Sequence, residues 1–131
     1  METAVVAEDE HTVAFLDHRP LFPGHCLLIP KQHHETLMDL PAALLAPLFS
    51  LAQLLGEAME RGLGADGSFM AVNNRVSQSV PHLHVHVVPR RRKDGLKGFF
   101  WPRAPYKDTA AMRDVQETLK TAIAQLRGGR S

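Results

Sequence analysis

Cysteine is nearly missing. Cys26 is the single one in 131 residues, so no disulfide can close within the chain, and a reducing compartment such as the cytoplasm is the expected location. A surplus of one charge sign is missing too. Fifteen Lys and Arg stand against 14 Asp and Glu, a net charge of +1 that lacks the basic excess of a general nucleic-acid binder. The opening residues METAVVAEDE are acidic and have neither the basic start nor the long apolar core of a secretory signal, which speaks against secretion. Long hydrophobic runs are also wanting. The longest uncharged stretch, Leu40 to Gly56, holds Pro41, Pro47, Ser50 and Gln53 and falls short of the roughly 20 apolar residues of a membrane span. It reads as a core helix, with no membrane partner expected. Repeats, linkers and a second domain are not evident. A chain that is 44% hydrophobic and 22% charged is ordinary globular material, and residues 1–131 are expected to form one domain.

Period and punctuation then place the elements. Residues from Thr3 to Asp17 alternate loosely and predict two short strands joined near Glu8 to Glu10. Arg19-Pro20-Leu21-Phe22-Pro23-Gly24 forbids regular structure and is a loop. His25 to Ile29, closed by Pro30, has the pattern of a strand buried on both faces. Lys31 to Leu40 has room for one helical turn. Proline is tolerated at the first helical position, so the main helix is expected from Pro47, with Leu48, Leu51, Leu55 and Met59 on its apolar stripe and a stop at Gly62. Ser68 to Val72 reads as another buried strand, followed by a turn at Asn73-Asn74-Arg75. Arg90 to Gly98 is basic and loop-like, a solvated surface, and Phe99-Phe100-Trp101 is expected to pack on the domain or on a partner subunit. Asp108 is placed to cap a last helix carrying Met112, Val115, Leu119, Ile123 and Leu126, with a frayed tail from Gly128.

The chemistry is concentrated in His82-Leu83-His84-Val85-His86-Val87-Val88. On a strand stopped by Pro89, alternation puts three imidazoles on one face and Leu83, Val85 and Val87 on the other. Three readings are open. The histidines could simply decorate a half-exposed strand. They could ligate zinc or copper, although at about 3.3 Å per residue the α-carbons of His82 and His86 stand roughly 13 Å apart, and neither His25 nor Cys26 offers a recognisable fourth ligand. Or His84 could be a nucleophile, since a neutral imidazole is competent near pH 7 and its two neighbours can hydrogen-bond a phosphate or assist a leaving group.

This stretch resembles the signature of the histidine triad (HIT) superfamily, His-φ-His-φ-His-φ-φ with φ apolar, here preceded by Gln78-Ser79-Val80. The resemblance runs on through Phe15-Leu16-Asp17, Pro23-Gly24-His25 with its strand, the central helix and Asn73-Asn74, and is weak over the first dozen residues and the final helix. It implies an α+β fold with an antiparallel sheet of about five strands, a common sheet size, a central helix, a C-terminal helix, and a dimer whose sheet is continuous. It also implies a hydrolase or transferase that cleaves nucleotides at the α-phosphate through a nucleotidyl-histidine intermediate.

Carried over by position, His84 is the nucleophile, His82 and His86 orient it and assist the phosphate and leaving group, and His25 supports the triad from the next strand. Asp17 corresponds to a ribose-binding position, Asn73, Gln78 and Ser79 to the phosphate site, and Phe15 and Leu16 to the base sandwich. The resemblance implies no metal or cofactor held by the protein, leaving a divalent ion to arrive with the nucleotide. A dinucleoside polyphosphate is the expected substrate, with purine nucleoside phosphoramidase activity or a non-catalytic nucleotide-binding module as alternatives. Two features depart from the pattern. The loop Asn73 to Gln78 is short and lacks glycine, and Trp101-Pro102 and Pro89-Arg90 resemble different branches, phosphoramidase and dinucleoside polyphosphate hydrolase respectively.

Overall fold

The computed structural model describes residues 4–96 and 102–129, which fall into two compact units, Met1–Gly95 and Leu96–Ser131. Phe99, Phe100 and Trp101, expected to pack on the domain or a partner, lie outside the described residues.

In the first unit, strands β1 (Val5–Glu8), β2 (Thr12–Leu16), β3 (Cys26–Pro30), β4 (Gly67–Val72) and β5 (Val85–Arg90) form one antiparallel sheet in the order β1-β2-β3-β5-β4. The β1–β2 turn closes on Asp9, whose carboxylate accepts from the Thr12 hydroxyl and the His11 and Thr12 amides; these bonds hold its pKa below the ordinary carboxylate value.

Side-chain alternation divides the sheet into two faces. Ala14, Cys26, Leu28, Val85 and Val87 point to one, where helix α1 (Leu45–Leu63) covers them with Leu48, Leu51, Ala52, Leu55 and Met59. By length and composition the segment Ala42–Leu63 could cross a membrane, but this apolar stripe is spent on the sheet. β3 is therefore not buried on both faces. Leu27 and Ile29 are half-buried on the side away from α1, where they line a cavity.

Helix α1 starts two residues before Pro47 and runs past Gly62. Pro47 sits within the first turn, where amides have no intrahelical acceptor to lose, and the helix ends at left-handed Gly64 (φ 68°), whose amide reaches the Met59 carbonyl. Two 3-10 turns, Leu37–Asp39 and Ala42–Leu44, lead into it, the first locked by the Asp39 carboxylate on the Thr36 amide and hydroxyl. β4, expected to be buried, is an edge strand with no fully buried residue.

Only His86 of the three triad histidines lies within β5; the strand begins at Val85 and continues through Pro89. Pro89 is tolerated because the odd-numbered residues of β5 turn their backbone groups toward β3, and that pairing ends at Cys26↔Val87.

In the second unit, α2 spans Thr109–Gly129, past Gly128. The Asp108 carboxylate accepts the Ala111 amide at 2.8 Å, and the stripe of Met112, Val115, Leu119, Ile123 and Leu126 is solvent-exposed.

Candidate active site

The face of the sheet away from α1 builds the site from its register. Phe15, Leu27, His86 and Ala71 are direct partners across β2, β3, β5 and β4, so an aromatic ring, an aliphatic side chain and an imidazole stand in one row. Around them lies a cavity of about 350 Å³. Phe15, Leu27 and Ile29 make its apolar wall, His82, His84 and His86 its imidazole side, and Asp17, Ser79 and Val80 its rim.

The histidines are not equivalent, and their hydrogen bonds say why. A backbone carbonyl only accepts, so the His84 Nδ1 that lies 2.8 Å from the His82 carbonyl carries the proton, and in the neutral ring Nε2 keeps a lone pair. By the same argument His82 donates through Nε2 to the Pro30 carbonyl at 3.1 Å. His25 is buried behind His86. Its Nδ1 accepts the Leu21 amide at 3.1 Å, so its Nε2–H donates to His86 Nδ1 at 3.0 Å, and the neutral His86 ring is left with an N–H at Nε2. The site thus holds one lone pair on His84 beside one spare N–H on His86, with ring centroids 5.1 Å apart.

Burial lowers the pKa of His25, His82 and His86. For His86 the neighbouring His84 and His25 push the same way, while the Asp17 carboxylate opposes; for His25 Asp17 alone opposes. These three rings are held toward the neutral form.

Asp17, His25 and His86 have candidate ligand atoms within 4.8 Å of one another. The donor set suits a divalent cation poorly: ligation through His25 Nε2 requires the proton on Nδ1, where the Leu21 amide already points its own hydrogen.

Three expected substrate residues do not reach the cavity. Leu16 is adjacent to Phe15 on a strand and so faces the other way, lining a separate apolar cavity of about 420 Å³ with Cys26 and Met59. Burial raises the Cys26 thiol pKa. Gln78 is occupied as a brace, its carbonyl oxygen taking the Arg75 amide and its amide nitrogen donating to the Glu35 carbonyl. Asn73 stands half-buried at the end of β4, outside the cavity lining.

The glycine-free loop achieves its turn at Arg75 (φ 72°) and Ser77 (φ 62°), both left-handed, at a cost of about 1–2 kcal/mol each. Two further histidines join the site without having been singled out from the sequence. His33 stacks on His82, and the His34 carbonyl accepts the Leu83 amide at 2.6 Å. Their pairing depends on how the segment after Pro30 folds back, which no local periodicity encodes.

The HIT domain family model matches residues 1–93. The adenylylsulfatase HINT3 of Arabidopsis thaliana is 36% identical over 91 residues, covering 68% of this chain and 46% of that protein. The asymmetrical bis(5'-nucleosyl)-tetraphosphatase of Schizosaccharomyces pombe is 34% identical over 85 residues, covering 63% of this chain and 47% of that protein. The chain therefore spans about half the length of these two relatives. Among solved structures, a zinc-bound histidine triad family protein from Mycobacterium smegmatis superposes with a TM-score of 0.69 at 34% identity, covering 99% of this chain and 90% of the other.

Proposed function

This chain belongs to the histidine triad (HIT) family, and from that footing we propose that it is a nucleotide hydrolase or transferase in which His84 attacks the α-phosphate of a dinucleoside polyphosphate. The observation that carries the reading is the bond from His84 Nδ1–H to the His82 carbonyl, which leaves Nε2 as the nucleophilic atom. Attack forms an Nε2–P bond and breaks the bridging P–O bond, whose electron pair leaves with the departing nucleotide. His86 offers its Nε2–H to a phosphate oxygen as charge develops. Water then attacks the nucleotidyl-histidine, a proton is released, and the lone pair returns to His84. The apolar wall of Phe15, Leu27 and Ile29 fits a base, and the rim carboxylate of Asp17 fits ribose hydroxyls. Any divalent ion enters on the phosphates of the substrate.

A phosphoanhydride leaving group departs as an anion and asks for no proton. That suits a site whose His25, His82 and His86 are held toward neutrality, whereas the amine of a phosphoramidate must be protonated as it leaves. The protein's relatives include enzymes named for cleaving both a dinucleoside tetraphosphate and an adenylyl sulfate, each an anhydride at the α-phosphate. Two copies joining along the edge strand β4 complete this reading, because exposed Leu45, Phe49 and Met70 lie on α1 and that strand. The test is to compare turnover of diadenosine tetraphosphate with that of adenosine phosphoramidate. Faster cleavage of the first is expected. Preference for the second would assign the phosphoramidase activity, and nucleotide binding with no cleavage of either would leave a binding module.

A further inference from the structure

His25 touches the triad at its last member, and His33 touches it at its first. The His33 ring lies nearly parallel to that of His82, with centroids 5.1 Å apart and planes 14° apart, an offset stack. His82 has particular need of such a neighbour. Its ring makes one hydrogen bond, Nε2–H to the Pro30 carbonyl, while its Nδ1 is buried with no partner among the described residues. That one bond resists large rotations about Cβ–Cγ but leaves smaller ones, because the torsional wells there are broad. A flat surface against its face removes that freedom.

The approach of His33 is itself anchored, because the segment that follows it is stitched to the triad side. The Leu83 amide donates to the His34 carbonyl, and the Leu37 amide donates to Asn74 Oδ1 at 2.9 Å. Residue 82 matters to the chemistry through its backbone: its carbonyl takes the His84 Nδ1 proton.

We propose that His33 is a positioning residue of the active site: by stacking on His82 it fixes that residue so that its carbonyl keeps His84 in the tautomer with a lone pair on Nε2. The proposal rests on the reading of His84 as the nucleophile. It requires a flat ring at position 33 and no proton, so phenylalanine serves there and alanine does not.

The experiment uses the full chain labelled with 15N, in which long-range proton–nitrogen spectra of the imidazoles report the tautomer of each ring. In the wild type, His84 reads as protonated at Nδ1. His33→Ala is expected to mix the two His84 tautomers and to lower kcat on diadenosine tetraphosphate roughly two- to tenfold with KM nearly unchanged, the range an aromatic pair of this geometry carries. His33→Phe is expected to restore both. An unchanged His84 tautomer in His33→Ala, or a His33→Phe variant as impaired as His33→Ala, overturns the proposal. The spectra need no substrate, so a wild type that cleaves no nucleotide would defeat the proposed function while the stacking claim is still decided by the ring signals.

Discussion

Among single side chains, His84 carries the sharpest expectation. His84→Asn keeps a polar group of similar reach but removes the proposed nucleophile, so turnover should fall roughly a thousandfold or more while nucleotide affinity and fold change little. Near-normal hydrolysis by that variant would show that another atom attacks the phosphate. The lowered pKa values of His25, His82 and His86 set a second expectation, on stability. As pH falls below the ordinary histidine value of 6.5, the unfolded chain takes up these protons before the native one does. Their contribution is therefore fully present above about pH 6.5 and is lost as pH drops through the lower native values. Urea midpoints measured from pH 8 down to 5 should decline over the acid part of that range, and a flat profile would contradict the neutral assignment. The alternation of His82, His84 and His86 with apolar residues makes legible in the sequence that the three imidazoles share one side, and all three line the cavity. The tautomers of His82, His25 and His86 are not legible there, because they depend on Pro30 and Leu21, residues of other segments that the chain reversal brings into reach. Phe15 and Leu16 show the limit of reading by adjacency: strand geometry sends neighbours to opposite faces, and the two line different cavities.

Of the connecting segments, the one leading into β3 depends most on a single position. Gly24 has φ of 103°, and a Cβ there would stand 2.5 Å from Leu63 Cδ1 and 3.3 Å from Pro89 Cγ. Gly24→Ala should destabilise the fold by about 1–3 kcal/mol, from backbone strain together with displacement of the end of α1. Equilibrium urea unfolding checks the figure, and an unchanged midpoint would mean that the loop relaxes without cost. Proline and glycine marked this loop correctly in the sequence, since both restrict or free the backbone locally. Helix ends are less legible. Pro47 lies inside the first turn because all early amides there are equivalent in lacking acceptors, and of the two nearby glycines it is left-handed Gly64, not Gly62, that ends α1. The basic run after β5 looked like plain solvated surface and is partly structural. Arg90 pairs with the Asp94 carboxylate through two nitrogens, at 2.6 and 2.9 Å, and the Arg91 guanidinium donates to the Leu63 carbonyl at the end of α1.

For the molecule as a whole, the decisive measurement is mass. If two copies pair along β4, light scattering at micromolar concentration should return twice the 14.5 kDa of one chain. Met70→Lys, which puts a charge on that edge strand, should shift the mass toward one chain. A monomeric wild type would remove pairing from the proposal without touching the chemistry of the cavity. The antiparallel sheet with its covering helix was legible through the resemblance, and alternation explains it. The edge position of β4 was not, because strand order is set by which segments meet in space, and a short apolar run looks alike at the centre and at the border of a sheet.

The chain of bonds from Leu21 through His25 to His86 has a direction. Its first donor is a peptide N–H, which does not give up its proton near neutrality, so every later ring is compelled to point its own N–H the same way. Three dipoles linked head to tail therefore end with their positive pole at His86, supplying electrostatic attraction without a full charge. A phosphate held by such a pole releases few counterions, so its binding should depend on ionic strength far less than binding to an arginine-lined site would.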